Sequence, residues 1–443
     1  MTEDIRTLPR QDGTRVQAVQ KRTVRLLAAA QILGGIGVGV SVSIGSLLAE
    51  SVARSETYAG LARTATTAGA ALAGVPLALL AQRRGRRTAL SSGWLAAAAG
   101  GVVLVTSAVT MSIPLLVLGM LLFGVGSATN QQSRYAAADL APPHRRARAL
   151  SIVVWSTTIG SVIGPNLARP GANVASVLHL PPLAGAFVLA TLGTALASLL
   201  LWARLRPDPL VLAREQLQRA EGVEPSSEPS ENADSREGGA PGPKGGTLRA
   251  GLEHLRHSPR AGFAFLTVVV ANTVMGAVMT MTPVSMSQDG ATLTVVGVTI
   301  SGHLLGMYAF SPVVGWLADR IGHLPTALIG QAVFIASALL SGFSRGSVGL
   351  VTAGLFLLGL GWSFSLVAGS AMLSDATPGG LRPTVQGTTD TAMNLVAAVG
   401  AGLAGPLMGS VGFGGLNAVA ALLVLPVIAF WLILLRGGPA VGA

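Results

Sequence analysis

Four ionisable residues of this 443-residue chain lie in stretches that are otherwise almost free of charge: Arg63, Arg134, His303 and Asp390. Charge is costly inside a bilayer, so such residues are functional candidates by default. Asp390 stands apart by elimination, because the other carboxylates fall near helix ends or in polar segments. Gln386 and Asn394 sit one helical turn to either side of it, on the same face. A carboxylate there can take up and release a proton, or rest in a structural ion pair. His303 titrates in the range that suits proton coupling, and beside Gly302 and Gly306 it suits an interhelical hydrogen bond equally. Arg134 ends the polar run Asn130-Gln131-Gln132-Ser133-Arg134, in which Asn130 and Arg134 share a face. It can gate a solute path or snorkel to the membrane surface. Arg63, flanked by Thr64, Thr66 and Thr67, can attract an anionic solute, pair with Glu56 or Glu50, or reach toward headgroups.

The elements that must position these residues are membrane helices. Half of the chain is hydrophobic and 11% is charged, with a mean hydropathy of +0.60, which excludes a soluble globular protein of this length. No charge occurs between Arg87 and Arg134, a run of 46 residues, or between Asp390 and Arg436, a run of 45. A helix needs about 20 apolar residues to span a bilayer, so each run holds two. Twelve spans are expected, near 24–49, 57–81, 88–110, 112–136, 148–169, 181–203, 262–286, 292–317, 325–343, 347–372, 386–410 and 412–435. The arginines crowd before the first span and in the turns after even-numbered spans, so the positive-inside rule places both termini in the cytoplasm of a multi-pass cell-membrane protein. The net charge of +11 is then a topology signal, and no nucleic-acid motif accompanies it. Cysteine is absent, no metal-ligand spacing is found, and neither a hydrolase nor a nucleotide-binding loop is present. An enzyme, a cofactor and a metal are therefore not expected.

Ala78 to Arg87 is echoed 237 positions later by Gly315-Trp-Leu-Ala-Asp319-Arg320-Ile-Gly322-His323. Asp139, Pro142 and Arg146 are echoed 236 positions later by Asp375, Pro378 and Arg382. The chain is thus a doubled six-span unit, and paired bundles of this kind rock about a central solute site. The expected division is a cytoplasmic tail at 1–23, a first bundle at 24–205, a linker at 206–258, a second bundle at 259–436 and a tail at 437–443. The linker is rich in Pro, Glu, Ser and Gly and is expected to be disordered, with amphipathic helical ends near 209–220 and 247–257.

These motifs resemble the major facilitator superfamily over nearly the whole chain outside the termini and linker. Gly315 to Gly322 resembles the superfamily's loop motif, and Ala78 to Arg87 is a degenerate copy. Gly160, Gly164 and Pro165 in the fifth span resemble the glycine–proline motif of its proton-coupled exporters, repeated by Gly405 and Pro406 in the eleventh. The resemblance implies an all-α fold of two pseudo-symmetric six-helix bundles, with an inner gate at Arg83, Arg86, Arg87, Arg134, Asp319 and Arg320. It also implies a cavity lined from Gln31, Arg63, Asn130, Trp155, Asn272, Trp362 and Asn394. Gln82 stands where the family carries an acid, so the first loop is expected to lack its charge latch, and Met120 stands where exporters carry an arginine. The expected function is secondary active transport by alternating access: proton-coupled efflux of a small, largely apolar molecule, by a monomer in the lipid bilayer. Asp390 would carry the proton and His303 would assist. Uptake of a nutrient or metabolite, and a membrane sensor without flux, are the alternatives.

Overall fold

The computed structural model of the protein describes residues 10–54, 59–220 and 248–436. Its elements are helices α1 (Arg10–Ala53), α2 (Ala59–Thr110), α3 (Ile113–Ala138), α4 (Arg146–Asn166), α5 (Ala168–Val177), α6 (Ala184–Arg204), α7 (Pro209–Ala220) and α8 (Leu248–His257). They continue as α9 (Pro259–Gln288), α10 (Leu293–Leu304), α11 (Ser311–Ile321), α12 (His323–Gly342), α13 (Val348–Asp375), α14 (Arg382–Leu422) and α15 (Leu425–Arg436). Ten stretches among the described residues are long and apolar enough to cross a membrane. Two of these are double. Gly85 interrupts α2 (φ 85°, ψ 169°) and Gly412 interrupts α14 (φ 71°, ψ 178°), so twelve spans result, as the charge-free runs imply.

Gly85 and Gly322 occupy equivalent places in the doubled sequence and adopt the same turn, with Gly322 at φ 97° and ψ 155°. Positive φ is readily open only to glycine, so both chain reversals are written in the repeat. The turns at Gly85, at 139–145, at 205–208, at Gly322 and at 376–381 all fall at one end of the bundle, called here the basic end.

Several boundaries differ from those expected. The first helix starts at Arg10, well ahead of residue 24, because its polar residues project beyond the apolar span. The connection after the fifth span is not a loop but holds α5. Within the linker, α7 and α8 form where amphipathic ends were expected. Residues 221–247, residues 1–9 and the tail at 437–443 lie outside the described residues.

Helix packing is set by small residues. In lipid, no hydrophobic drive joins helices, so association depends on close backbone approach. Gly160 and Gly164 of α4 lie against Gly35 and Gly39 of α1: a Cβ on Gly160 would come within 2.5 Å of the Gly35 carbonyl carbon, and one on Gly164 within 2.5 Å of Gly39. This is the physical content of the glycine motif in the fifth span. Its second copy differs, because a Cβ on Gly405 would find only Met281 at 4.0 Å, and one on Gly402 would find nothing within 4 Å. The slip of the motif in the eleventh span thus coincides with an uncrowded stretch of α14 at Gly402 and Gly405, next to Pro406 inside the helix.

Apolar packing separates into clusters within each half and one that crosses between them. Tyr135, Ala138, Ala147 and Leu150 of the first half pack with Phe263, Val314, Ala371 and Val385 of the second. That shared core lies at the basic end. Overpacking a close helix contact costs about 1–3 kcal/mol. Gly164→Val is therefore expected to lower thermal stability in detergent by that amount, while Gly402→Ala leaves it within about 0.5 kcal/mol. Equal loss in both variants would remove the distinction between the two motif copies.

Candidate functional site

Between the halves lies a cavity of about 340 Å³. Each wall is a helical stripe. From α2 come Arg63, Thr66, Thr67 and Ala70, and from α3 come Ser127, Asn130, Gln131 and Arg134. Both follow the spacing i, i+3, i+4, i+7 that places residues on one helix face. Gln31 and Ser41 of α1, Asn272, Met275 and Thr280 of α9, Trp362 of α13 and Met393, Asn394 and Ala401 of α14 also line it. The volume and the mix of apolar surface with a few polar groups match a small-molecule site.

Six of the seven expected cavity residues are there: Gln31, Arg63, Asn130, Asn272, Trp362 and Asn394. Trp155 is the correction. It is 40% exposed on the outside of α4, while Val154 and Thr157 face the cavity. The glycine seam with α1 fixes the rotation of α4, and Trp155 is turned about 140° from Gly160 at 100° per residue. Asn166, a polar residue near the end of the same helix, is exposed and donates to Val162 of its own helix at 2.7 Å.

The polar side chains are held in pairs. Trp362 Nε1 donates to Asn272 Oδ1 at 3.1 Å, and the Trp362 ring meets Tyr308 edge to face with centroids 5.6 Å apart. Tyr308 was not foreseen. It enters the cavity from a π turn at Leu305–Ala309, an irregularity between α10 and α11 that shifts the helix phase. Gln31 Nε2 donates to the Asn130 carbonyl at 3.2 Å and to Thr157 Oγ1 at 3.3 Å.

At the cavity floor the halves are joined by a buried ion pair. Arg134 Nη2 donates to Asp390 Oδ1 at 2.5 Å, and their side chains are 4% and 1% exposed. Arg134 Nε donates to Ser370 Oγ at 3.1 Å and Nη2 to the Tyr135 hydroxyl at 3.1 Å, while Tyr135 donates to Asp390 Oδ1 at 3.4 Å. Asp390 Oδ2 is buried without a hydrogen-bond partner among the described residues. Of the two readings of Asp390, the geometry contains the ion pair. Above the pair, Gln131 and Asn394 exchange reciprocal amide hydrogen bonds of 3.1 and 2.8 Å.

Below it, toward the basic end, the seam is latched twice. Asp319 of α11 accepts from the backbone amides of Ala147 and Arg148, each at 3.0 Å, and so caps the start of α4 in the other half. In the symmetric position Gln82 donates to the Gly380 carbonyl at 2.7 Å and accepts from Thr384 Oγ1 at 2.9 Å. The first loop thus lacks a charged latch at this position and carries a neutral one instead, built on the amide that stands in place of an acid. Arg86 is fully buried and pairs with Asp139 at 2.8 Å, while its Nη2 donates across the seam to Gln386 at 2.5 Å. Arg146 pairs with Asp375 across the same seam. Backbone contact is equally close, since a Cβ on Gly387 of α14 would run into Ala78 of α2.

The expected gate therefore divides. Arg86, Arg134 and Asp319 reach across the seam. Arg83 is exposed, Arg320 is exposed and stacks over Trp316 at 5.3 Å, and Arg87 borders a surface recess beside Asp208, which accepts from its amide at 2.7 Å. These three do not reach the seam, because they lie around the glycine turns on the solvent side. Asp139, Arg146, Asp375, Gln82 and Gln386 were missed as site residues, although the repeat itself pairs Asp139 with Asp375. His303 is not brought to Asp390. It is fully buried behind the cavity, its Nδ1 2.8 Å from the Leu355 carbonyl and its Nε2 without a partner among the described residues.

Among the described residues, no hydrogen bond between the halves lies beyond the level of Asn394 and of Thr391, whose hydroxyl donates to the Ala71 carbonyl at 3.1 Å. The structure is closed at the basic end and its cavity faces the opposite end. Arg134→Met would strand the Asp390 carboxylate in the closed seam, at a cost of about 3–5 kcal/mol. Opening the basic end to water relieves that cost. Alkylation of a cysteine at buried Ser374, in a chain with no other cysteine, is therefore expected to speed up at least tenfold in Arg134→Met. The double variant Arg134→Met/Asp390→Leu should return it toward the starting rate, and an unchanged rate in the single variant would show that the pair does not hold the seam.

Comparison with known proteins agrees with this architecture. The family model of the Major Facilitator Superfamily matches residues 27–289 and 263–442. The chain is 35% identical over 416 residues to YdeG, an uncharacterised MFS-type transporter of Bacillus subtilis (strain 168), covering 93% of this chain and 92% of that one. It is 28% identical over 416 residues to RfnT, a riboflavin transporter of Brucella anthropi, covering 93% and 94%. The solved structure of the human organic anion transporter MFSD10 superposes with a TM-score of 0.70 at 17% identity, over 93% of this chain and 99% of that one, and shares the fold. With two six-helix halves around one cavity and a family match along nearly its whole length, the chain belongs to the Major Facilitator Superfamily of transporters.

Proposed function

We propose that the protein is a proton-coupled secondary transporter that exports a small amphipathic molecule by alternating access, with the basic end in the cytoplasm. The observation that carries this reading is the Arg134–Asp390 pair, which joins the two halves at the floor of the cavity. Ionised, Asp390 holds Arg134 and the basic end stays shut. A proton arriving from the open side has a site on the partnerless Oδ2. Neutralising the carboxylate weakens its hold on the guanidinium, because charge-assisted hydrogen bonds are roughly twice as strong as neutral ones. The halves can then part at the basic end, release the proton and admit substrate. Deprotonation restores the pair and turns the loaded cavity outward.

The orientation rests on the excess of arginine at the basic end, and the export direction on the glycine–proline motif in the fifth span, whose glycines seat α4 on α1. Likeness to a riboflavin transporter is a precedent for a planar ring system with polar substituents, and the cavity, with Trp362 and Tyr308 beside several amides, suits that class. Uptake is the second reading, favoured by a cavity that is open away from the basic end. His303 helps only indirectly, through its hold on α13 at Leu355.

The test is flux in proteoliposomes under an imposed pH gradient, with riboflavin as the first probe. Wild type is expected to move substrate against the proton gradient, whereas Asp390→Asn retains exchange of substrate for substrate and loses its response to the gradient. Flux with full pH dependence in Asp390→Asn would remove Asp390 as the coupling acid. Initial rates in inside-out and right-side-out vesicles separate export from uptake.

A further inference from the structure

The cavity's charge is unbalanced. Among the described residues its lining holds two arginines and no carboxylate. Arg134 is satisfied by Asp390, Ser370 and Tyr135. Arg63 takes part in none of the ion pairs among the described residues, and its side chain is exposed on the cavity stripe of α2, between the start of the helix and Thr66, Thr67 and Ala70. A guanidinium within a membrane span is costly to retain. In a concave site with low-dielectric walls it raises the local concentration of anions and repels cations. Its planar fork matches a carboxylate or phosphate oxygen pair.

The opposite wall has a different character. Met275, Met307 and Met393 line it together with the Tyr308–Trp362 pair, all from the second half. Thioethers adapt to irregular shapes and attract aromatic rings, and the hydrogen bond to Asn272 fixes the indole.

We propose that the cavity selects an organic anion with an aromatic body, its charged group on Arg63 of the first half and its ring against the methionine and aromatic wall of the second. This rests on the transport reading and deepens it. A ligand that touches an anchor on each half draws the open end together as it binds, so recognition and occlusion are one event. A neutral molecule of the same shape leaves Arg63 without a counter-ion, and a cationic one meets two arginines. The asymmetry also accounts for a cavity that keeps its carboxylate below the floor, reserved for Arg134 and the proton.

Three probes with one ring system separate charge from shape: 2-naphthoate, 2-naphthamide and 2-naphthylmethylammonium. Binding is measured by equilibrium dialysis with the full chain in lipid nanodiscs, with empty nanodiscs as the blank. The carboxylate is expected to bind about tenfold or more tightly than the amide, as a charge-assisted pair implies, and the ammonium most weakly. Arg63→Gln is expected to bring the carboxylate down to the amide's affinity and leave the amide within about twofold, while Arg63→Lys keeps part of the preference. Equal binding of carboxylate and amide by the wild type overturns the proposal, as does a preference that survives Arg63→Gln, or no binding of any probe at millimolar concentration. A cysteine at Thr280 reads the transport reading separately. Labelling from either membrane side without charge preference defeats the anion proposal alone, and labelling from one side only, with the preference intact, defeats alternating access alone.

Discussion

The structure depends on one buried ion pair shared between two bodies. Arg134 and Asp390 are each nearly inaccessible, and neither is compensated if the other leaves, since desolvating a lone charge costs several kcal/mol. The pair is therefore an all-or-none contact. Either the halves meet at the basic end and both charges are satisfied, or they part and water must reach both. Intermediate separations are the most costly, which favours two discrete states in the rocking motion proposed for the bundle.

Around that pair the seam is graded by polarity. Next to the cavity lies the Gln131–Asn394 amide pair, then the ion pair, then Arg86 with Asp139 and Gln386, and at the surface the two helix-end latches. The latches are unequal although the repeat makes them equivalent. Asp319 brings a negative charge to the positive end of α4, worth about 0.3–1 kcal/mol at an exposed helix start. Gln82 offers the matching end of α14 only neutral hydrogen bonds. The α2–α14 side of the gate, which carries Asp390, adds the charge-assisted hydrogen bond from Arg86 to Gln386.

Much of this was legible in the sequence, for definable reasons. Charge-free runs of 46 and 45 residues force paired spans, and the repeat foretells that Gly85 and Gly322 make the same turn. The polar stripe that ends at Arg134 is visible as helical periodicity. What the sequence could not show is partnership: Arg134 and Asp390 stand 256 positions apart, and no local pattern states which helices touch. Helix phase was the other gap. The rotation of α4 is decided by its glycine seam with α1, which turns Trp155 outward, and the π turn after His303 carries Tyr308 and Met307 into the cavity while His303 stays behind. Both errors come from reading a helix face without its neighbour.

The most direct test of the central claim follows distance at both ends of the bundle when Asp390 is made permanently neutral. Spin labels on cysteines at Arg83 and Arg320 report the basic end, and labels at Leu178 and Val348 report the opposite end, in an otherwise cysteine-free chain. Double electron–electron resonance of Asp390→Asn against the parent is expected to show the basic-end distance lengthening while the opposite-end distance shortens. Distributions that stay unchanged at both ends, or that shift in the same direction, would contradict a switch built on the Arg134–Asp390 pair.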